Sequence, residues 1–195
     1  MSAFRGVEAR QVLEAVEGYL DEGGLAPARR PDDDPQPGDV LVHQEPPGWA
    51  AVTWPAYFVP RDLTACAALS RDLHAVVSTV TTTDDEGWSH HLYGCGTLLD
   101  RFHSYPAALA WDDDDVAGLA AAWAGDFELV ARVFGVSACA VRRHFCQARR
   151  DTRDHPGRQR LGYLELWSAL GIAVRGDEPP YAVLAVDPAW QRRSA

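Results

Sequence analysis

Residues 75–106 read AVVSTVTTTDDEGWSHHLYGCGTLLDRFHSYP, and the periodicity of this stretch decides the fold class. AVVSTVTTT is β-branched almost throughout and reads as a strand. DDEG supplies turn chemistry, WSHHLYGCG is a second extended run, and TLLDRFHSYP completes a three-strand meander ending at Pro106. Strand alternation places Trp88, His90 and Leu92 on one face, with Ser89, His91 and Tyr93 on the other.

Working toward the N-terminus, DVLVHQ and WAAVTW flank EPPG and read as a hairpin. A helix opens at Pro60-Arg61-Asp62 and carries Leu63, Cys66, Ala67, Ser70 and Leu73 on one stripe. Before them, PARRPDDDPQPGD is dense in Pro and Asp and reads as an exposed connector. The first helix spans Gly6 to Asp21, with Val12, Leu13, Val16, Tyr19 and Leu20 on one face and Gly23-Gly24 as a left-handed stop. Toward the C-terminus the pattern turns helical: one segment ends near Trp123, two short helices run through Arg150, and another runs from Arg158 to Leu170. YAVLAVD reads as a last strand.

This order predicts one α+β domain over residues 1–195, with an antiparallel sheet made of a hairpin and a meander. Helices pack on one side, and the C-terminal half is helical. Residues 1–22 form the N-terminal helix, 23–38 the connector, 39–106 mainly sheet and 107–195 mainly helix. Hydrophobic residues make up 47% of the chain, enough for a real core. The net charge of −10 disfavours broad contact with nucleic acid or an anionic membrane. Every basic residue is arginine, and Lys and Asn are absent. That bias reads as a GC-rich bacterial genome before it reads as phosphate recognition.

No apolar run is long enough to span a membrane and the N-terminus lacks a signal pattern, so a cytoplasmic protein is expected. Cys66, Cys95, Cys139 and Cys146 form no CxxC pair and read as buried free thiols.

Several short matches are spaced along residues 49–185: Asp84-Asp85, Trp88, Tyr93, Gly96, Leu99-Asp100 and Ser104-Tyr105-Pro106. Gly125-Asp126, Phe134-Gly135 and Leu170-Gly171-Ile172 follow. On these residues the chain resembles an uncharacterised family of small bacterial α+β proteins. The resemblance implies an intracellular protein of that fold and carries over no catalytic residue.

The stretch LVARVFGVSACAVRRHF, residues 129–145, has the outline of a helix-turn-helix. Asp126 would cap the first helix, and Val130, Val133 and Phe134 would bury it. Gly135 would turn left-handed, Ser137 would cap the second helix, and Val141 and Phe145 would dock it. Arg142, Arg143, Gln147 and Arg149 would then be the DNA-facing set. Against this, His144 stands where such motifs bury an aliphatic residue, and residues 126–160 hold only eight Arg against four acidic residues. A plain helical hairpin explains the same pattern.

No nucleophile elbow, phosphate loop or dinucleotide fingerprint is present. No catalytic residue, cofactor site or metal site is assigned. An enzyme would need a pocket assembled from distant residues, around His91, Tyr93, Arg101 and His103. The remaining feature is the run Asp112, Asp113, Asp114 and Asp115, which either caps a helix or meets a basic partner. Size, acidity and missing chemistry together lead to the expectation of a non-catalytic protein that binds another macromolecule, a protein and in an inhibitory or immunity-like manner. DNA binding through residues 127–149 stands as the alternative.

Overall fold

The computed structural model describes residues 1–30, 34–44, 48–55, 59–83, 87–111, 115–154, 159–173 and 179–186. Asp84 to Glu86 of DDEG, most of EPPG and Asp112 to Asp114 lie outside them. The fold is α+β. Its antiparallel sheet holds β1 (Ser2–Arg5), β2 (Ala28–Arg29), β3 (Val40–Gln44), β4 (Trp49–Thr53), β5 (Val76–Thr83), β6 (Gly87–Gly94), β7 (Thr97–His103) and β8 (Ala182–Ala185), in the order β2-β8-β3-β4-β1-β5-β6-β7. The hairpin, the meander and the last strand are all present. Two compact units divide the chain, one of Met1–Thr79, Tyr93–Thr97 and Val174–Ala195, the other of Val80–Leu92 and Leu98–Ala173.

In the first unit the main surprise is β1. SAFR is too short to show alternation, yet it lies mid-sheet, pairing Phe4 with Ala50 of β4 and with Val77 of β5. Helix α1 (Ala9–Glu22) buries Ala9, Val12, Leu13, Val16 and Leu20, the face that its periodicity marks. It ends as expected: Gly24 takes φ +71° and the Leu25 amide donates to the Leu20 carbonyl at 2.9 Å. Helix α2 (Val59–Asp72) buries Cys66 and Leu69 in the same core. A buried polar knot joins these elements. The Trp54 Nε1–H donates to Ser2 Oγ at 2.9 Å, and that oxygen also lies 2.8 Å from Thr79 Oγ1 and 3.1 Å from Cys66 Sγ.

The connector at 23–38 is less idle than its composition suggests. Ala28–Arg29 pairs with β8, and the Arg30 guanidinium grips the buried Asp39 carboxylate at 2.6 and 3.1 Å. Asp39 also accepts the Gln36 amide at 2.8 Å. A proline- and aspartate-rich segment is thus closed by one bidentate pair.

In the second unit, β6 and β7 carry an aromatic stack in which Trp88 meets Phe102 at 5.1 Å and Phe102 meets Phe145 at 4.2 Å. The covering helices are α3 (Val116–Ala122), α4 (Phe127–Phe134), α5 (Ala138–Asp154) and α6 (Gln159–Ala169), with a 3-10 turn at Pro106–Leu109. Asp126 caps α4 by accepting the amides of Glu128 and Leu129, and Gly135 ends it at φ +72°. Gly162 on α6 lets that helix close on Trp88, whose Nε1 lies 3.0 Å from where a Cβ would stand. Where two short helices were expected before Arg150, α4 and a 17-residue α5 are found.

Of the four thiols expected inside, only Cys66 is buried, while Cys95, Cys139 and Cys146 are exposed. Periodicity explains the last two, since Val141, Phe145 and Ala148 take the buried face of α5 and leave Cys139 and Cys146 outside. Among the described residues no helix is long and apolar enough to cross a membrane.

Candidate functional site

The site residues anticipated from sequence separate into three places. Asp115, the described member of the aspartate run, caps α3 by accepting the Ala117 amide at 3.0 Å. Beside the run, Trp111 is 84% exposed.

The helix-turn-helix outline is real as local structure. Val130, Phe134, Val141 and Phe145 are buried, and Val133 is half-buried. Arg142, Arg143 and Gln147 are exposed on α5, and the Arg142 guanidinium lies 5.6 Å from the Phe127 ring centre. Arg149 is used differently. Its Nη2 donates to the carbonyls of Ala120 and Trp123 at 3.2 and 3.1 Å, and its guanidinium lies over Phe102. It therefore closes the C-terminal end of α3, where a cation meets orphan carbonyls.

Of the residues named for a hypothetical active site, His91, Arg101 and His103 do converge. Their meeting point is the Trp123 indole. His91 and His103 meet it edge-on at 5.4 and 5.8 Å, and Arg101 covers it at 4.9 Å. His90 points the other way, toward Phe145, as strand alternation requires. Burial holds all three histidines neutral, His90 down to about 3 and His91 and His103 to about 4. Tyr93 belongs to the other unit. Among the described residues no three His, Cys, Asp or Glu side chains gather as a metal would need.

The outer edge of β7 is a further place, beyond those expected from the sequence. A cleft of about 390 Å³ opens there, lined by Leu98, Leu99, Asp100 and Arg101 on one side and by Ala121, Ala122 and Ala124 to Asp126 on the other. Leu98 and Leu99 are adjacent, large, apolar and exposed, at 42% and 38%. Asp100 is 9% exposed. Its Oδ1 accepts the Asp126 amide at 2.8 Å, while Oδ2 is buried and, among the described residues, has no hydrogen-bond partner. Burial raises the Asp100 pKa, and the Asp126 and Arg101 amides partly offset that rise. Asp126 stands exposed at the same rim. A signal existed in the sequence, since LLD departs from the alternation of an edge strand with one wet face.

The chain matches no protein-family model, no curated protein and no solved structure.

Proposed function

We propose that this is a non-catalytic binding protein that captures another protein, in an inhibitory or immunity-like role. The observation that carries this reading is the β7 cleft. Two exposed leucines beside a buried carboxylate and an exposed one combine an apolar anchor with a charge that selects its partner. A chain of net charge −10 favours a basic partner by long-range attraction.

The test is affinity capture from cells of the source organism, comparing the unaltered protein with a Leu98→Arg, Leu99→Arg double variant. Both positions are exposed, so the fold survives the change. Loss of specific partners in the variant supports the reading; an identical set of captured proteins in both overturns it.

A second reading rests on α4, the Gly135 turn and the exposed Arg142, Arg143 and Gln147 of α5. It makes the protein a DNA-binding regulator. Fluorescence anisotropy of a random duplex at low and moderate salt tests it. Salt-sensitive binding that disappears in Arg142→Ala, Arg143→Ala favours this reading, and no binding at low salt removes it.

A further inference from the structure

The β7 edge carries a more specific inference, which rests on the protein-capture reading above. β7 is the last strand of the sheet. Its outer edge is covered only in part. Phe102 forms a single antiparallel bridge with Ala124, and the His103 amide donates to the Trp123 carbonyl at 3.1 Å. The covering segment then leaves at Gly125, which takes φ +73° and packs so tightly that a Cβ there would lie 2.5 Å from the Phe145 ring. In effect the chain begins to add a strand to β7 and abandons the pairing after one bridge.

Backbone groups in an antiparallel strand alternate in direction along the chain. His103 donates outward, so Arg101 and Leu99 also face that edge. The Arg101 amide is taken by the Asp100 carboxylate; among the described residues nothing pairs with the outward amide and carbonyl of Leu99, and the cleft lies along them. An uncovered edge with apolar side chains is a template for another strand.

We infer that the β7 edge at Leu98–Arg101 receives an extended, basic segment of the partner protein by strand addition, continuing the line that Gly125 breaks off. The outward amide and carbonyl of Leu99 supply main-chain pairing, and Leu98 and Leu99 supply apolar contact. Asp126 at the rim, with Asp100 beneath it, selects Arg or Lys on the incoming strand. A second copy of this chain is the poorer occupant. Edge-to-edge pairing would bring the acidic rims of two chains, each of net charge −10, against one another.

The experiment uses the full chain and a fluorescein-labelled heptapeptide of alternating arginine and valine. A control peptide of identical side chains carries N-methyl groups on alternate amides, which keeps the charge and removes strand pairing. Anisotropy should show the parent peptide binding and the methylated one at least about tenfold weaker. Leu99→Pro, which deletes an outward amide at an edge position where proline is tolerated, should lose binding similarly. Equal binding of the two peptides, or no binding of either at low salt, overturns strand addition, as does undiminished binding by folded Leu99→Pro. If Leu99→Pro fails to fold, the peptide pair on the unaltered protein decides. A dimer in solution that Leu98→Arg dissolves would overturn the proposal in favour of self-pairing. Should strand addition fail while the double-arginine variant still loses its captured proteins, only the mode of binding falls and the capture reading stands.

Discussion

Gly125 and Gly135 have nearly the same backbone angle and opposite surroundings, and so separate two costs that are usually confounded. At Gly135 an added Cβ meets nothing within 4 Å among the described residues, so Gly135→Ala bears only the left-handed strain, about 1 kcal/mol. At Gly125 the same change adds a collision with Phe145 and with Phe102 Cβ at 3.1 Å. Overpacking then joins the strain, for a loss on the order of 2–4 kcal/mol. Urea unfolding of the two variants measures the difference; equal midpoints would mean that the Gly125 neighbourhood yields freely. Ser104 shows the same logic at the other end of β7. Its Oγ accepts the Trp88 amide at 2.9 Å, its own amide donates to the Trp88 carbonyl at 2.9 Å, and a Cβ on Gly87 would stand 2.3 Å from that hydroxyl. The Ser-Tyr-Pro ending thereby acquires a physical task, locking β6 to β7.

At the scale of elements, α3 is the most dependent on its neighbours. It is seven residues long with no buried residue, below the length at which a helix sustains itself in water. Asp115 holds its first turn and Arg149 its last carbonyls. Arg149→Ala is expected to speed hydrogen exchange across residues 116–123 while the α4 amides stay protected. Uniform acceleration over α3, α4 and α5 would instead make Arg149 a general core residue. Because α3 lines the β7 cleft, the same variant should weaken partner capture without touching an exposed residue of the rim. The aspartate run makes its own prediction. Substituting Asp112 to Asp115 with Ser should weaken capture steeply at low salt and little at high salt, and unchanged capture at low salt would remove the run from the interface. The elements most visible in the sequence were those with long runs of one pattern: α1, β5 and β6. β1 was invisible because four residues carry no period and its pairing is decided by strands 44 or more positions away.

For the whole molecule, acid is the expected weakness. His90, His91 and His103 are neutral when folded, with pKa values pushed down to about 3, 4 and 4 by burial, against an ordinary value of 6.5. The unfolded chain therefore binds more protons as pH falls below about 6.5, and the stability these groups leave intact at neutral pH is lost on the way to 4. Each contributes a slope of roughly 1.4 kcal/mol per pH unit within its window. The buried Asp100, with its pKa raised, acts with the opposite sign and softens the decline slightly. Chemical denaturation at pH 7, 6 and 5 should show the fall, and His90→Leu should remove about one proton from the slope. A flat profile across that range would mean that the histidines are hydrated in solution.

Sequence alone determined the α+β class, the hairpin, the meander, the buried face of α1 and the cap-turn-helix outline of α4 and α5. Each is a local pattern in which neighbouring residues share one period or one turn, so no distant contact is needed to read it. Tertiary structure alone decided where β1 inserts, that Arg149 serves α3, that His91 and His103 both meet Trp123, and that β7 ends the sheet with part of its edge open. These depend on which segments meet across tens of residues. A side chain's partner, and hence its role, is set by that meeting and not by its neighbours in sequence.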